Sequence, residues 1–306
     1  MQTSASTLAQ PAPKLPLLAR ALRWYLRSDV KGQTRIAPKL TNLAARYRSD
    51  LQIVPIQIED WAPVYMDLRQ PNSVQWLKGS PWDSSPREVE EQAVMRRFVK
   101  PGDVVFDIGA NIGLHTALLS KLVGATGKVY AFEPNSEIGP LLARTIAGMP
   151  NATLIPVALS DRTAKSVLYV PGLSEVGSLA DWTAGEYGDT HLVRCKERTL
   201  DSMIESGVLP KPRFIKCDVE GGELKVFQGA RNCLDAADAP VVLFEANVYT
   251  SRGFGLNVSA AKRFLQSLKR AAFEFYSVGG GGELSPATAL HPVHSNVLAV
   301  PEVRRH

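Results

Sequence analysis

The sequence is poor in cysteine and has no long apolar stretch. Its three cysteines, Cys195, Cys217 and Cys233, show no close pairing of the kind that binds a metal, and their odd number argues against a disulfide framework. We expect Cys217 to be a small core residue rather than a nucleophile. No apolar run approaches the roughly 20 residues that span a bilayer. The first 16 residues lack the apolar core of a secretory signal. From the cysteine pattern we expect a reduced, cytoplasmic setting.

Acidic residues are almost absent from residues 1–48. This segment has nine Lys and Arg residues and a single acid, Asp29, which give it a net charge of +8. Since the whole chain carries +5, the remainder carries about −3. We expect disorder in residues 1–16 and helices within 17–48. Three interpretations of this basic arm (residues 1–50) stay open: a helix packed on the rest of the protein with its basic face in water, contact with an acidic surface such as a membrane or a partner, and contact with nucleic acid.

The pattern of apolar residues changes after the basic arm. Residues 51–70 predict a hairpin with a turn near Glu59–Pro63, and residues 85–99 predict a helix. Seven short apolar runs then alternate with helical stretches, at 104–108, 128–132, 153–157, 213–217, 241–246, 273–278 and 296–300. This alternation predicts an α/β fold with a doubly wound, mostly parallel seven-stranded sheet, interrupted at 158–200 by an antiparallel insertion. The predicted parts are the basic arm (1–50), a hairpin and helix (51–100) and a main domain (101–306).

The segment Asp107-Ile-Gly109-Ala110-Asn111-Ile-Gly113 directly follows an apolar strand and directly precedes a helix. In doubly wound sheets, ligands bind beyond the carboxyl ends of the strands. Gly109 and Gly113 permit a tight turn and a close approach of a ligand to the backbone. The spacing differs from the G-x-G-x-x-G fingerprint of nicotinamide dinucleotide sites, because position 111 is Asn and an acid precedes the first Gly. A carboxylate at Asp107 would repel a pyrophosphate and suits the ammonium group of S-adenosylmethionine.

A second acid, Glu133, ends the next strand, 26 residues after Asp107. An acid at this position can accept hydrogen bonds from both ribose hydroxyls of an adenosine. Its alternative role is to cap the helix that follows. Ala158 and Leu159 follow the third strand, where we expect them to line an adenine pocket. The residues predicted to bind S-adenosyl-L-methionine are Asp107, Gly109, Ala110, Asn111, Gly113, Glu133, Pro134, Asn135, Ala158, Leu159 and Asp218.

Carboxylates are concentrated in Asp218-Val-Glu220-Gly-Gly-Glu223, directly after the fourth apolar strand. Three roles stay open for them: a general base for a hydroxyl, hydrogen bonding to the substrate, or metal binding. No spacing of His or Asp residues indicates a metal site, so no metal is predicted. The structural alternative is that Asp218 caps a helix and that Glu220 and Glu223 support its positive end. Our candidates for the catalytic base are Asp218, then Glu220, then His115, which lies in the first turn after the glycine motif. Glu245 ends the fifth strand and is expected at the same edge.

These motifs resemble those of the FkbM family of S-adenosylmethionine-dependent methyltransferases. The resemblance covers roughly residues 85–300 and rests on VKPGDVVFDIGANIGLHT (99–116), AFEPN (131–135), VALSD (157–161), RTLDS (198–202), IKCDVEGGELKVFQGA (215–230) and FEAN (244–247). It implies the Rossmann-like fold of class I methyltransferases and O-methylation of a hydroxyl on a sugar or secondary metabolite. Cys217 stands where the family commonly has an aliphatic residue, and the basic arm has no recognised counterpart.

The predicted partner is therefore a small-molecule or glycan hydroxyl acceptor, and no nucleic acid is expected. Two other functions stay open. The basic arm suits an RNA methyltransferase, and the fold alone suits a binding module without catalysis. A nicotinamide-linked dehydrogenase is disfavoured by Asp107 and Asn111. The sequence leaves the oligomeric state and the identity of the acceptor open.

Overall fold

The structure is a computed structural model that describes residues 14–28, 33–70, 73, 77, 86–172, 177–183 and 188–304. These residues fall into two compact units, one within 1–79 and one within 80–306. The disorder predicted for residues 1–16 lies almost entirely outside the described residues. In the described part of the chain, no helix combines the length and the apolar character needed to cross a membrane.

The N-terminal unit consists of helices followed by a hairpin. Its elements are Leu17–Arg27 (α1), Gln33–Tyr47 (α2), Ser49–Gln52 (α3), Ile53–Ile56 (β1) and Val64–Asp67 (β2). They confirm the helices predicted within 17–48 and the hairpin predicted at 51–70. The two strands pair antiparallel around a turn in which Glu59 has a φ of 44°. Ile56 and Met66 are fully buried on the same face, as the two-residue period of a strand requires.

The second unit is built on an eight-stranded sheet. Its strands, in spatial order, are Leu284–Pro286 (β12), Phe273–Val278 (β11), His294–Pro301 (β13), Val241–Asn247 (β10), Phe214–Cys217 (β9), Val104–Ile108 (β3), Lys128–Phe132 (β4) and Ala152–Ile155 (β5). The strands from β10 to β5 are parallel, and β13 runs antiparallel to both of its neighbours. All seven predicted strands are present. The eighth, β12, is a three-residue edge strand, too short to give a periodic signal.

Helices pack on both faces of this sheet. They are Pro86–Phe98 (α4), Leu114–Val123 (α5), Gly139–Ile146 (α6), Leu200–Glu205 (α7), Glu223–Gln228 (α8), Arg231–Leu234 (α9), Val248–Gly253 (α10) and Ala260–Gln266 (α11). On one face Phe106 packs in the main core with Phe227 of α8, and Cys217 lies in the same core, as predicted. On the other face Ala131 packs with Leu142 of α6. The doubly wound α/β fold predicted from the sequence is confirmed.

The interruption at 158–200 forms a separate three-stranded sheet. Its strands are Ala158–Leu159 (β6), Ala164–Val170 (β7) and His191–Arg198 (β8), in the order β6-β8-β7. β7 and β8 pair antiparallel over their whole length, which confirms the predicted antiparallel insertion.

The strand order places the carboxyl ends of β4, β3 and β9 side by side. β3 lies between β4, which follows it in the chain, and β9, which comes much later, so the strand order reverses at β3. Backbone hydrogen bonds join these ends. The N–H of Gly109 donates to the carbonyl of Phe132 at 3.0 Å, and the N–H of Asp218 donates to that of Ile108 at 3.0 Å. A doubly wound sheet binds its ligand at such a reversal.

Candidate active site

The Glu133 carboxylate joins the turn after β3 to the end of β4. Its Oε2 accepts a hydrogen bond from the backbone N–H of Asn111 at 2.9 Å, and its Oε1 accepts one from the N–H of Asn135 at 2.8 Å. The turn that follows is held by Asn135 instead, whose Oδ1 accepts from the N–H of Glu137 at 2.9 Å. Because a carboxylate has lone pairs for about four hydrogen bonds, Glu133 can accept two more from a ligand. We call Asp107, Asn111, Glu133 and Asn135 the β3–β4 corner.

Within the described residues, the β3–β4 corner has buried polar atoms that are available to a ligand. Thr116, in the first turn of α5, donates to Oδ2 of Asp107 at 2.6 Å. Oδ1 of Asp107 and Nδ2 of Asn135 have no hydrogen-bond partner among the described residues. An unsatisfied buried polar group costs about 1–3 kcal/mol, so these atoms suit a ligand that offers a donor to the first and an acceptor to the second. Burial raises the pKa of Asp107, and it raises that of Glu133 to about 7.

The segment Asp218–Glu223, which we call the acidic loop, carries three carboxyl groups after β9. Oε1 of Glu223 accepts hydrogen bonds from the N–H groups of Val219 at 3.1 Å and Gly221 at 3.2 Å. Burial raises the pKa of Glu223 to about 8. Glu223 therefore holds the loop in place, in line with the structural alternative, but by binding loop N–H groups. The N-cap of α8 is Gly222, so Asp218 does not have the capping role considered for it.

The glycines of the turn between β3 and α5 leave space that other parts of the protein occupy. Gly109 and Gly113 have φ values of 81° and 90°, which confirms the tight turn. A Cβ on Gly109 would lie 1.8 Å from the carbonyl oxygen of Asp218, and one on Gly113 would lie 2.7 Å from Cδ1 of Leu142. The space on the Cβ side of these glycines is thus filled by the acidic loop and by α6, while the approach of a ligand to the backbone stays a prediction. A side chain at either position would be strained by the positive φ, and at Gly109 it would also collide with backbone atoms.

A buried lysine lies between the β3–β4 corner and the acidic loop. Lys216 is the neighbour of Asp107 across the β3–β9 pair, and its Nζ lies 3.2 Å from Oδ2 of Asp218. Burial alone would lower the pKa of Lys216, but Asp218, Asp107 and Glu91 raise it above its ordinary value. Sequence reasoning missed this residue because it treated 213–217 as an apolar strand. The available signal was a lysine inside an apolar run, since lysine is almost never fully buried without a partner.

Glu220 occupies a strained position in the acidic loop. Its φ is 55°, a left-handed conformation that is uncommon outside glycine and asparagine. Its carbonyl oxygen accepts a hydrogen bond from Oγ of Ser178 at 2.9 Å, so the insertion contacts the loop. Gly177, next to it, lies beside the Asn135 side chain. Burial, and then the neighbouring Asp218, raise the pKa of Glu220. Backbone strain of this kind is concentrated at functional sites, which supports a role for the loop.

His115 lies beside the buried carboxyl group of Glu91. Glu91 of α4 is buried, and its Oε2 lies 3.3 Å from Nε2 of His115. Burial lowers the pKa of His115 well below its ordinary value, and it raises that of Glu91 well above. Near neutral pH these two pKa shifts favour the neutral imidazole of His115 and the protonated carboxyl group of Glu91. Because burial holds the pKa of His115 so low, its imidazole is a weaker candidate for the base than Asp218, and its role stays a prediction.

Glu245 lies at the end of β10 and contacts a second histidine. Nε2 of His294 lies 2.7 Å from Oε1 of Glu245, and both side chains are largely buried. The pair joins the ends of β10 and β13, where Asn247 is opposite His294 in the antiparallel register. The sequence placed Glu245 at this edge but gave no sign of His294, because β13 returns to β10 from far along the chain.

The remaining predicted residues lie in packed positions. Ala110 packs with Leu142 of α6, and Leu159 belongs to the main core. Ala158 is buried, and Pro134 is half-buried between the two polar residues of the β3–β4 corner. The adenine pocket at Ala158 and Leu159 stays a prediction. Across the described ranges, no group of three or more His, Cys, Asp or Glu side chains is arranged to hold a metal ion.

Comparison with known proteins gives one family and one curated relative. Residues 107–275 match the model of the family described as the methyltransferase FkbM domain. Over 163 residues the chain is 31% identical to the hexuronic acid methyltransferase AglP of Haloferax volcanii. The match covers 52% of this chain and 64% of that protein, which is less than two thirds of its length.

Two solved structures illustrate the more distant similarities. A SAM-dependent O-methyltransferase from Thermotoga maritima is 15% identical, with 72% of this chain and 66% of that chain covered at a TM-score of 0.39. Fibrillarin from Aeropyrum pernix is 14% identical, with 69% and 73% covered at a TM-score of 0.37.

Proposed function

The chain belongs to the FkbM methyltransferase family, as its motifs predict, and from this premise we propose that it transfers the methyl group of S-adenosyl-L-methionine to a hydroxyl oxygen of a sugar. The observation that carries the proposal is the β3–β4 corner. Its two carboxylates lie at the ends of adjacent strands, and Oδ1 of Asp107 is buried without a partner among the described residues. The corner thus combines an acceptor suited to an ammonium group with an acceptor suited to ribose hydroxyls.

The residues fit this cofactor as follows. Asp107 would accept from its ammonium group, directly or through water. Glu133 would use its two remaining lone-pair positions for the ribose hydroxyls, while the N–H groups of Asn111 and Asn135 fix the orientation of its carboxylate. Nδ2 of Asn135 adds a buried donor without a partner in the described part of the chain. When bound, S-adenosylmethionine supplies a methyl group that its sulfonium has already activated.

The protein has two remaining tasks, to align the acceptor oxygen and to take its proton. An alcohol is a weak nucleophile near neutral pH, so a carboxylate within hydrogen-bond reach assists the transfer. Asp218 is our choice for this base because it lies at the carboxyl end of β9 and its side chain is 30% exposed, whereas Glu223 is buried and holds the loop. Glu220 is the second choice, because its raised pKa leaves less of the anion.

The acceptor class rests on the named relative. AglP is a hexuronic acid methyltransferase, and the chain matches 64% of its length. Hexuronic acids are therefore the first acceptors to test, with the corresponding neutral hexoses beside them. A hexuronic acid offers both hydroxyl and carboxylate oxygens. Treatment of the product with alkali separates the two outcomes, since a methyl ester is hydrolysed and a methyl ether survives. Survival supports transfer to a hydroxyl, and loss of the methyl group contradicts it.

Calorimetric titration of S-adenosylhomocysteine into the protein tests the cofactor site. We expect saturable binding by the wild type and about 10-fold or greater weakening in Glu133→Ala, the scale of losing a charged hydrogen-bond partner. Glu205→Ala is the matched control, because Glu205 is an exposed carboxylate on α7. We expect its affinity to equal that of the wild type. Absence of binding by the folded wild type would overturn the proposal.

Substitution of Asp218 tests the proposed base. We expect Asp218→Asn to keep the affinity for S-adenosylhomocysteine within a few-fold and to reduce turnover about 100-fold or more. Asp238→Asn is the matched control, because Asp238 forms an exposed ion pair with Lys211. Measurement of initial rates at saturating cofactor separates turnover from binding. Normal turnover in Asp218→Asn would remove Asp218 from this role.

A further inference from the structure

The outward face of α1 combines large apolar side chains with arginines. Trp24 is 73% exposed and Leu17 is 81% exposed, while Ala19 and Leu26 point inward. Leu17, Arg20, Trp24 and Arg27 are spaced by three or four residues, so they share one side of the helix. Single exposed apolar residues are ordinary on protein surfaces, but an aligned set beside basic residues is not.

Helix α2 repeats this arrangement over three turns. Ile36, Leu40, Leu43 and Tyr47 are all exposed, and Tyr47 reaches 84%. Their spacing of four, three and four residues makes a continuous stripe along the helix. Lys39 and Arg46 are exposed beside the stripe. The inward side of α2 is formed by small residues, including the fully buried Ala37 and Ala45.

Neither outward face carries an acid. Within residues 1–48 the one acidic residue is Asp29, which lies outside α1 and α2, against nine Lys and Arg residues. The faces therefore offer apolar contact and positive charge together. Tryptophan and tyrosine are enriched at the boundary between lipid headgroups and acyl chains, and basic residues are attracted to anionic headgroups.

We propose that the outward faces of α1 and α2 bind the surface of an anionic phospholipid bilayer, with the apolar side chains inserted at the headgroup boundary. A nucleic acid would use the arginines and lysines but gains nothing from the exposed aliphatic side chains of Ile36, Leu40 and Leu43. A second copy docked face to face would bring Lys39 and Arg46 against their own counterparts. A bilayer accommodates both features, because interfacial helices bind through apolar burial and through attraction to anionic lipids.

Cosedimentation of the full chain with vesicles tests the proposal. We expect binding to vesicles of phosphatidylcholine with 30% phosphatidylserine (roughly the anionic content that gives a substantial surface potential) and much weaker binding to phosphatidylcholine alone. The apolar variant Leu40→Gln with Leu43→Gln should weaken binding about 10-fold or more, without unfolding, because both side chains are exposed. Its matched control is Val208→Gln, an equally exposed apolar residue of the second unit.

The contribution of positive charge to vesicle binding is tested by a separate pair of substitutions. Lys39→Gln with Arg46→Gln should also weaken binding about 10-fold or more, since each basic residue near the surface contributes about fivefold. Lys165→Gln with Lys196→Gln, two exposed lysines facing each other on β7 and β8, is the matched control and should bind as the wild type does.

Fluorescence gives an independent measurement. Insertion of Trp24 should shift the tryptophan emission to the blue when anionic vesicles are added, and Trp24→Phe should abolish the shift while leaving binding largely intact. The proposal is overturned by any of four results: no binding to anionic vesicles, full binding by the Leu40 and Leu43 variant, a stable dimer that this variant dissociates, or salt-dependent RNA binding in place of vesicle binding.

Discussion

The β3–β4 corner and the acidic loop lie at neighbouring strand ends, yet they control their carboxyl groups differently. In the corner, uncharged donors hold the carboxylates: the Thr116 hydroxyl contacts Asp107, and two backbone N–H groups contact Glu133. In the loop, the carboxyl groups repel one another electrostatically, and the ammonium group of Lys216 contacts Asp218. Uncharged donors therefore hold both carboxylates of the corner, whereas in the loop Asp218 depends on the charge of Lys216 and only Glu223 is held by backbone N–H groups.

Removal of Lys216 should have the largest effect, because this residue serves both regions. It neighbours Asp107 in the sheet and contacts Asp218, and it is only 4% exposed. We expect Lys216→Met to lower the free energy of unfolding by about 3–5 kcal/mol, since it leaves buried carboxylates without their cation. Urea unfolding followed by tryptophan fluorescence measures the change.

Lys211→Met is the matched control for this lysine. Lys211 forms an exposed ion pair with Asp238, so its loss should cost less than about 1 kcal/mol. The double variant Lys216→Met with Asp218→Asn should recover part of the loss, because it removes both partners of the contact. Equal destabilisation by the Lys216 and Lys211 substitutions would show that the buried cation does not organise the site.

Glu133 gives the corner one pH-dependent step of its own. Burial raises the pKa of Glu133 to about 7 in the free protein, and the carboxylate is the form that accepts ribose hydroxyls. Protonation therefore competes with ligand binding below this pKa. We expect the affinity for S-adenosylhomocysteine to fall about 10-fold from pH 8 to pH 6, as the ionised fraction falls. Calorimetric titration across this range measures the dependence.

Glu133→Gln is the informative comparison for the pH profile. Its amide keeps the shape and one acceptor oxygen but has no proton to lose in this range. The variant should bind more weakly at pH 8 and should show a flatter profile than the wild type. A profile that keeps its full slope in Glu133→Gln would assign the titration to another group, with Asp107 the next to examine.

The sequence predicted the sheet well because its signals are local. The parallel strands at 104–108, 213–217 and 241–246 are short apolar runs that are largely buried on both faces. The Asp107 and Glu133 positions followed from the same pattern, since strand ends locate them. Strand β12 was missed because three residues carry no period.

The charge network of the site could not be predicted in this way. Glu91, Lys216 and His294 come from α4, β9 and β13, which are far apart in the chain and meet only in the folded sheet. Their partners depend on register, such as the pairing of Asp107 with Lys216, which no local pattern specifies. Gly109 shows the same limit: its tight turn is a local feature that the sequence predicted, whereas the Asp218 carbonyl beside it comes from a distant part of the chain.

Glu223 offers the most selective test of the comparison. Burial raises the pKa of Glu223 to about 8, above its value of 4.5 in an unfolded chain. Between these pH values the folded state keeps a proton that the unfolded state releases. This group therefore lowers the free energy of unfolding as pH rises from 4.5 to 8, by up to about 1.4 kcal/mol per pH unit.

Glu223→Gln keeps an acceptor for the N–H groups of Val219 and Gly221 but cannot titrate. Urea unfolding should therefore show a stability close to that of the wild type near pH 5 and a growing advantage for the variant toward pH 8. Methyl transfer should persist in Glu223→Gln. Glu223→Ala should be less stable than Glu223→Gln by about 1–3 kcal/mol at every pH, because neither variant titrates and in the Ala variant two loop N–H groups lose their acceptor. If Glu223→Gln abolished transfer while keeping its stability, the carboxyl group itself would take part in the reaction, and the division between a loop-holding Glu223 and a proton-accepting Asp218 would fail.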